Sequence, residues 1–403
     1  MSEVIETKPI CKQHERYIGW PSIAKAPDGT LHAVFSGDRD THICPFGKTY
    51  ITSSTDDGVT WSKARLINDT PLDDRDPGLC IQPDGTMIMS WFTSHYYRSY
   101  EVNWAGYNEN KKYASLRSWD EWEKVIQKIT PADAAYWAPF LSRSSPELAA
   151  KWANAWVEMG VQSKVDYDSR FPAATRRLGY WTRRSTDGGQ TWDDATLAPV
   201  MAPHGPNILA DGSLIMIGIS PSWYGDLGVC ISPDNGLTWK ILASMSEDVT
   251  QEDGVSARLG EPHIVAANSG KLVALARYQA KLDGDKRFLW QFDSLDGGVT
   301  WTKPRPTNLN GYPPHLLRTS DGRLLASFSV RHEPCGYRFC FSNDEGKTWD
   351  VENQLHVNAA LPEVTDLGYP ATTETSPGNF VSVYYQMDNK QEKTCLTMTR
   401  WKG

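Results

Sequence analysis

The chain has no apolar run near the ~20 residues that a membrane-spanning helix needs, so a membrane is not an expected partner. Its first residues, Met1 to Lys8, are charged and carry no apolar signal core, so the expected location is cytoplasmic. Cysteine offers no framework. There are seven, an odd number, scattered and without a C-x-x-C pair, which predicts neither a disulfide scaffold nor a cysteine zinc site. Excess positive charge is also missing. Lys and Arg total 41 against 49 Asp and Glu, a net −8, which argues against nucleic acid. A local group of arginines can still oppose that global sign and hold a small anion.

What the chain does have is repetition. The motif S-x-D-x-G-x-T-W occurs five times, with its serine at Ser54, Ser185, Ser232, Ser294 and Ser342 and its tryptophan at Trp61, Trp192, Trp239, Trp301 and Trp349. Ser and Asp side chains satisfy local backbone N–H groups, and Gly supplies a positive φ. These aspartates are therefore expected to be structural. A second repeat, apolar strand, D-G-type turn, apolar strand, recurs six times. Its glycines are Gly29, Gly85, Gly212, Gly270, Gly322 and Gly378, spaced by 56, 127, 58, 52 and 56 residues. One unit is thus a four-stranded antiparallel blade of about 55 residues, and six units make an all-β, six-bladed β-propeller spanning 1–403 as a single domain. The sixth unit has no box: the sequence runs out just past Thr399-Arg400-Trp401, where a box would begin. Residues near 2–10 are expected to supply its outer strand.

The gap of 127 marks an insertion. In the other boxed units the D-G glycine precedes the box glycine by 24 to 29 residues; Gly85 and Gly189 are 104 apart. The extra residues, roughly 99–176, fall between the second and third strands of blade two. Trp119, Trp122, Val125 and Ile126 recur at helical spacing, and Ser145-Pro146 resembles a helix start, with Trp152 and Trp156 on the face that follows. A helical insertion over the active-site face is predicted.

Blade direction then fixes the working end. Strand one runs down to the D-G turn and strand three down to the box, so both turn types lie at the bottom. First-strand starts and second-strand ends meet at the top: Trp20, Arg75, Asp76, His204, Glu261, His263, His315 and Tyr369 from the former, Asp38, Arg39, Asp40, His42, Arg277, Arg331, Tyr385 and Gln386 from the latter. Arg338 follows at the start of a third strand. Cations, carboxylates and aromatic groups converging on one rim suit binding and chemistry. The three histidines begin successive first strands. Hydrogen bonding to a ligand or plain packing is expected of them, not a metal site, and no cofactor is expected.

These repeats and spacings resemble the sialidase superfamily over nearly the whole chain. That resemblance implies a tyrosine nucleophile with a glutamate base, an aspartate acid/base and three arginines on the substrate carboxylate. Tyr369, opening the last blade in Asp366-Leu367-Gly368-Tyr369, matches the nucleophile. Glu261 with Arg277 sixteen residues on matches the base and second arginine. Arg331 and Arg338 both fit the third, and Asp40 fits the acid/base, with Asp38 as the alternative. The family's first arginine precedes a proline in the first strand; this chain has Gly19-Trp20-Pro21 there. Arg39 or Arg75 would have to reach the pocket instead. The implied function is an exo-glycoside hydrolase acting on a terminal acidic sugar, sialic acid or a relative. A non-catalytic carbohydrate-binding propeller and a lyase on the same scaffold are the alternatives. The implied partner is a small acidic sugar or oligosaccharide, with self-association left open.

Overall fold

The computed structural model describes residues 2–39, 42, 47–70, 73–94, 179–219, 227–245, 249–250, 256–280 and 287–403. They form six antiparallel sheets arranged as blades. Blade one is built from Tyr17–Lys25, Leu31–Arg39, Lys48–Ser54 and Arg65–Asn68. Its inner strand and the inner strands of the other blades, Asp73–Ile81, Asn207–Ile208, Ser256–Ala266, His315–Arg318 and Gly368–Ser376, face the central axis. The expected closure forms: Glu3–Cys11 pairs with Cys395–Lys402, so the start of the chain completes the last blade. Blade four departs from the expected four strands, because Val249–Thr250 pairs with Ala257 and Ser256 as a short fifth strand. The predicted helical insertion at 99–176 lies outside the described residues, as does Asp40. Among the described residues no helix is long and apolar enough to cross a membrane.

Each blade is covered on both faces by its neighbours, so its strands read as near-continuous apolar runs rather than alternating ones. Leu272 to Ala276 are all buried, and so are Leu324 to Val330. Ile215, Ile217, Val229, Ile264, Ala274 and Phe292 join blades three and four in one cluster.

The boxes are turns, as their composition predicts. In the first, Ser54 Oγ donates to Asp56 Oδ1 at 2.7 Å and accepts from Gly58 N at 2.9 Å. Asp56 accepts from Thr60 N at 2.8 Å and Thr60 Oγ1 at 2.6 Å, and Trp61 Nε1 reaches Gly58 O at 3.1 Å. The other four repeat the Ser, Asp and Thr bonds. These aspartates are consumed by their own loops.

Candidate active site

At the top of four inner strands the backbone makes the same move. Trp20, Asp76, Glu261 and Tyr369 each precede a proline and each has a positive φ, 51°, 49°, 46° and 55°. The strand register slips at each, between Gly19 and Ser22, Arg75 and Gly78, Gly260 and His263, and Gly368 and Ala371. Large L-residues avoid this region, so four instances at equivalent stations are a bulge kept for where it aims the side chain. The residue three positions earlier serves the same rim: Tyr17, Asp73 and Asp366.

Tyr369 and Glu261 meet. The phenol Oη donates a short hydrogen bond to Glu261 Oε1, and Arg277 Nη1 donates to Glu261 Oε2 at 2.7 Å. Burial works against the Glu261 charge, but Arg277, the phenol hydrogen bond and Arg331 hold its carboxyl below the usual range. Burial, together with the Glu261 charge, raises the Tyr369 phenol well above its ordinary value. The pair at rest is therefore a carboxylate accepting from a neutral phenol.

Two guanidinium groups flank it. Arg277 lies 4.2 Å from the centre of the Tyr312 ring and Arg331 5.3 Å from it, so one aromatic ring helps to locate both. Arg331 is also 5.8 Å from the Tyr369 ring, and its Nε and Nη2 are buried without a hydrogen-bond partner among the described residues. Gly368, at φ 148°, permits that approach: a Cβ there would stand 2.6 Å from Arg331 Nη2. Of the two candidates for the third arginine, Arg331 is beside the phenol. Arg338 is not; its Nη1 donates to the Tyr337 carbonyl at 2.9 Å, on a strand side facing His356.

The arginines expected to replace the missing one take other positions. Arg39 is fully buried and grips Asp73 with both Nη atoms, at 2.5 and 3.0 Å. Arg75 stacks on Trp20 at 4.2 Å, with Arg39 at 4.7 Å from the same ring. Trp20, wholly buried, is thus a wall held by two cations in the place of a carboxylate-binding arginine. Asp38 is turned from the pocket as well, paired with Lys48 at 2.8 Å and Arg16 at 3.4 Å. Asp76 stays in it. Burial and the nearby Glu261 charge raise its carboxyl to about 7, against the pull of Arg75, and its Oδ1 has no hydrogen-bond partner among the described residues.

The histidines do circle the axis. His263 and His315 stack at 4.6 Å, and His204 meets them edge-on at 5.5 and 5.0 Å, with Tyr369 6.3 Å above it. Leu316 N donates to His263 Nδ1 at 2.8 Å, and Thr372 N to His315 Nδ1 at 3.4 Å. Burial depresses all three, His315 to about 3. Among the described residues no His, Cys, Asp and Glu group has a geometry that would hold a metal ion.

Sequence reasoning missed Tyr17 and Tyr312, and gave Asp366 no part. Tyr17 Oη donates to Asp366 Oδ1 at 2.9 Å and lies 2.9 Å from His42 Nδ1; Tyr385 Oη reaches the same carboxylate oxygen at 3.5 Å. The signal available was the three-residue offset from the X-Pro bulge, which marks Tyr17 and Asp366 alike.

Solved structures share this architecture. A protein of unknown function from Dyadobacter fermentans DSM 18053 superposes with a TM-score of 0.70 at 20% identity, covering 100% of this chain and 99% of that one. The intramolecular trans-sialidase of Ruminococcus gnavus gives 0.60 at 15%, over 96% and 94%. An α-L-arabinanase of Penicillium chrysogenum gives 0.54 at 14%, over 99% and 98%. At such identities the likeness is one of fold, on a scaffold that hosts glycoside hydrolases. No curated protein matches the sequence. The model of the BNR repeat-like domain matches residues 174–383, just over half of the chain, and the chain therefore belongs to that family, on a sialidase-like six-bladed propeller.

Proposed function

We propose that this protein is a sialidase-like exo-glycoside hydrolase that releases a terminal acidic sugar, sialic acid or a relative. The observation that carries the reading is the hydrogen bond from the Tyr369 phenol to the Glu261 carboxylate, with Arg277 and Arg331 on either side. An anomeric carbon that bears a carboxylate repels an anionic nucleophile. A neutral phenol that passes its proton to Glu261 as it attacks avoids that repulsion. Arg331, with two buried donor atoms that have no partner among the described residues, is suited to the sugar carboxylate, a charge-assisted bond. Arg277 chiefly keeps Glu261 ionised. The acid/base belongs to the loop after the second strand of blade one, where the family resemblance places Asp40.

Hydrolysis of a fluorogenic sialoside by the purified protein, lost in Tyr369→Phe, is the expected result. A full screen of acidic glycosides without turnover would sink the reading. Two observations favour a second reading, a carbohydrate-binding propeller without turnover. Trp20 occupies the place of an arginine, and Arg277 is already bonded to Glu261. That reading predicts saturable binding of an acidic sugar and no product.

A further inference from the structure

We propose that His42 is the group that gives a proton to the departing sugar oxygen and later takes one from water, with Tyr17 and Asp366 as its positioning residues. This deepens the glycosidase reading and rests on it.

The case begins with one proton. Tyr17 Oη has a single hydrogen, and it points to Asp366 Oδ1 at 2.9 Å. The same oxygen lies 2.9 Å from His42 Nδ1, so that contact requires the hydrogen to sit on the histidine. Asp366 Oδ1 is 3.5 Å from Nδ1 and adds a second acceptor on the same side. The imidazole is thereby fixed with Nδ1 protonated, which leaves Nε2 as the nitrogen that gains and loses a proton. Fixing one nitrogen so that the other is free for chemistry is how a carboxylate commonly orients a working histidine.

Position agrees. His42 packs edge-on against Trp20 at 4.8 Å, and Tyr369 packs edge-on against the same indole at 6.4 Å. Acid and nucleophile would then share one wall of one pocket. The His42 side chain is 44% exposed, the accessibility needed to meet an aglycone, whereas Asp366 behind it is more enclosed at 21%. The charged and titratable groups around the ring are Asp366, Tyr17, Tyr385, Arg75 and Arg331, and the His42 carbonyl accepts from Arg39 Nη2 at 3.0 Å, which pins the loop.

The steps balance. In the first, the Tyr369 oxygen bonds to the anomeric carbon, its proton passes to Glu261, the glycosidic C–O bond breaks and the His42 Nε2 proton goes to the departing oxygen. In the second, a water oxygen bonds to the anomeric carbon, its proton returns to Nε2, the tyrosyl C–O bond breaks and Glu261 returns its proton to the phenol oxygen.

The test uses the full chain and the variants His42→Gln, Asp40→Asn and Tyr17→Phe. With an acidic glycoside of poor leaving ability, such as a sugar aglycone, His42→Gln should lose about 10²- to 10⁴-fold in kcat/KM. With an activated aryl aglycone the loss should be far smaller, and azide should speed turnover. The wild-type kcat/KM should fall as pH rises through a value at or below the ordinary histidine value, and His42→Gln should lack that limb. Equal losses on both aglycones, or the leaving-group pattern in Asp40→Asn but not in His42→Gln, would overturn the assignment. Nitrogen-15 NMR of labelled histidine, assigned by the missing signal in His42→Gln, is independent of turnover. It should show Nδ1 protonated in the wild type, and Tyr17→Phe should disturb it. A neutral His42 that carries its hydrogen on Nε2 and none on Nδ1 would overturn the proposal even in an active enzyme. Absence of turnover with His42 in the expected tautomer would overturn the hydrolase reading, and the proton-donor role with it.

Discussion

Trp20 and Tyr369 hold the same station in adjoining blades, each before a proline, with φ of 51° and 55°, and their rings meet edge to face at 6.4 Å. The bulge that aims a phenol at the pocket in one blade aims an indole in the next. Trp20 is the centre of a larger group, with Arg39 and Arg75 on its ring and Tyr17, His42 and Tyr385 around it.

Placing an arginine at position 20 should therefore harm this protein. Trp20→Arg would bury a third cation beside Arg39 and Arg75 and remove the aromatic face that both use. Thermal unfolding should show a clear loss, larger than for Trp20→Phe. Trp20→Ala should cost about 3–5 kcal/mol through the cavity it leaves. An arginine variant as stable as wild type would show that the wall is dispensable.

The phenol–carboxylate pair should respond unequally to its two deletions. Tyr369→Phe removes the nucleophile oxygen but leaves Glu261 with Arg277, so the fold should be kept while turnover is abolished. Glu261→Gln removes a base worth about 10²- to 10⁴-fold and also leaves Arg277 without its partner carboxylate. Calorimetry should show Glu261→Gln as the less stable of the two. The reverse order would mean that the Arg277 contact contributes little.

Much of this was legible before any coordinates, and the reason is periodicity. Box and D-G turns repeat because each blade meets the same local problem, so their spacing gave the blade count, the closure of the last blade by Glu3–Cys11 and the rim on which Tyr369, Glu261 and Arg277 meet. Tyr369, Glu261 and Arg277 were placed through a motif. What the letters did not show was pairing between polar side chains. Arg39 and Arg75 read alike as spare cations, yet one is bound to Asp73 and the other lies on Trp20, with its Nε 3.8 Å from Asp76. Arg331 follows the strand Leu324–Val330 and Arg338 lies within the next strand, Gly336–Ser342, opposite His356, a difference of placement that spacing alone left open.

The axial histidines predict acid sensitivity with a definite sign. Their folded values lie below the unfolded one of about 6.5, so the unfolded chain binds more protons at lower pH. The stability they permit is complete above about pH 6.5 and is lost as pH falls toward the folded values. Each contributes a slope of up to about 1.4 kcal/mol per pH unit. His204 has no hydrogen-bond partner on either nitrogen among the described residues, so His204→Phe should flatten that slope and cost little at neutral pH. Denaturant midpoints measured from pH 8 to pH 4 would show it. An unchanged slope would mean that the three rings titrate normally.

Asp76 runs the other way. Its carboxyl is raised to about 7, whereas an unfolded aspartate titrates near 4. The folded chain thus holds a proton that the unfolded chain has released, and its stability falls as pH rises from about 4 to about 7. Asp76→Asn removes that cost. The variant should gain more stability at pH 8 than at pH 4 while losing activity, the usual exchange at a site kept for function. A gain independent of pH would place the Asp76 proton elsewhere.

Arg331 is where the acidic-sugar reading is most exposed. Arg39 and Arg277 have carboxylate partners in the chain, and Arg75 lies on Trp20. Arg331 Nε and Nη2 have none among the described residues, in a site too buried for that to be without cost. A ligand carboxylate would satisfy both atoms at once, in a fork that lysine lacks. Arg331→Lys should therefore raise KM for an acidic glycoside by about 10- to 100-fold, the worth of one charge-assisted pair, with a smaller change in kcat. Removing the acidic group from the ligand should erase the difference between wild type and variant. If both bind a neutral glycoside and its acidic counterpart equally, the guanidinium serves Tyr312 and Tyr369 alone, and the sugar this pocket accepts carries no carboxylate.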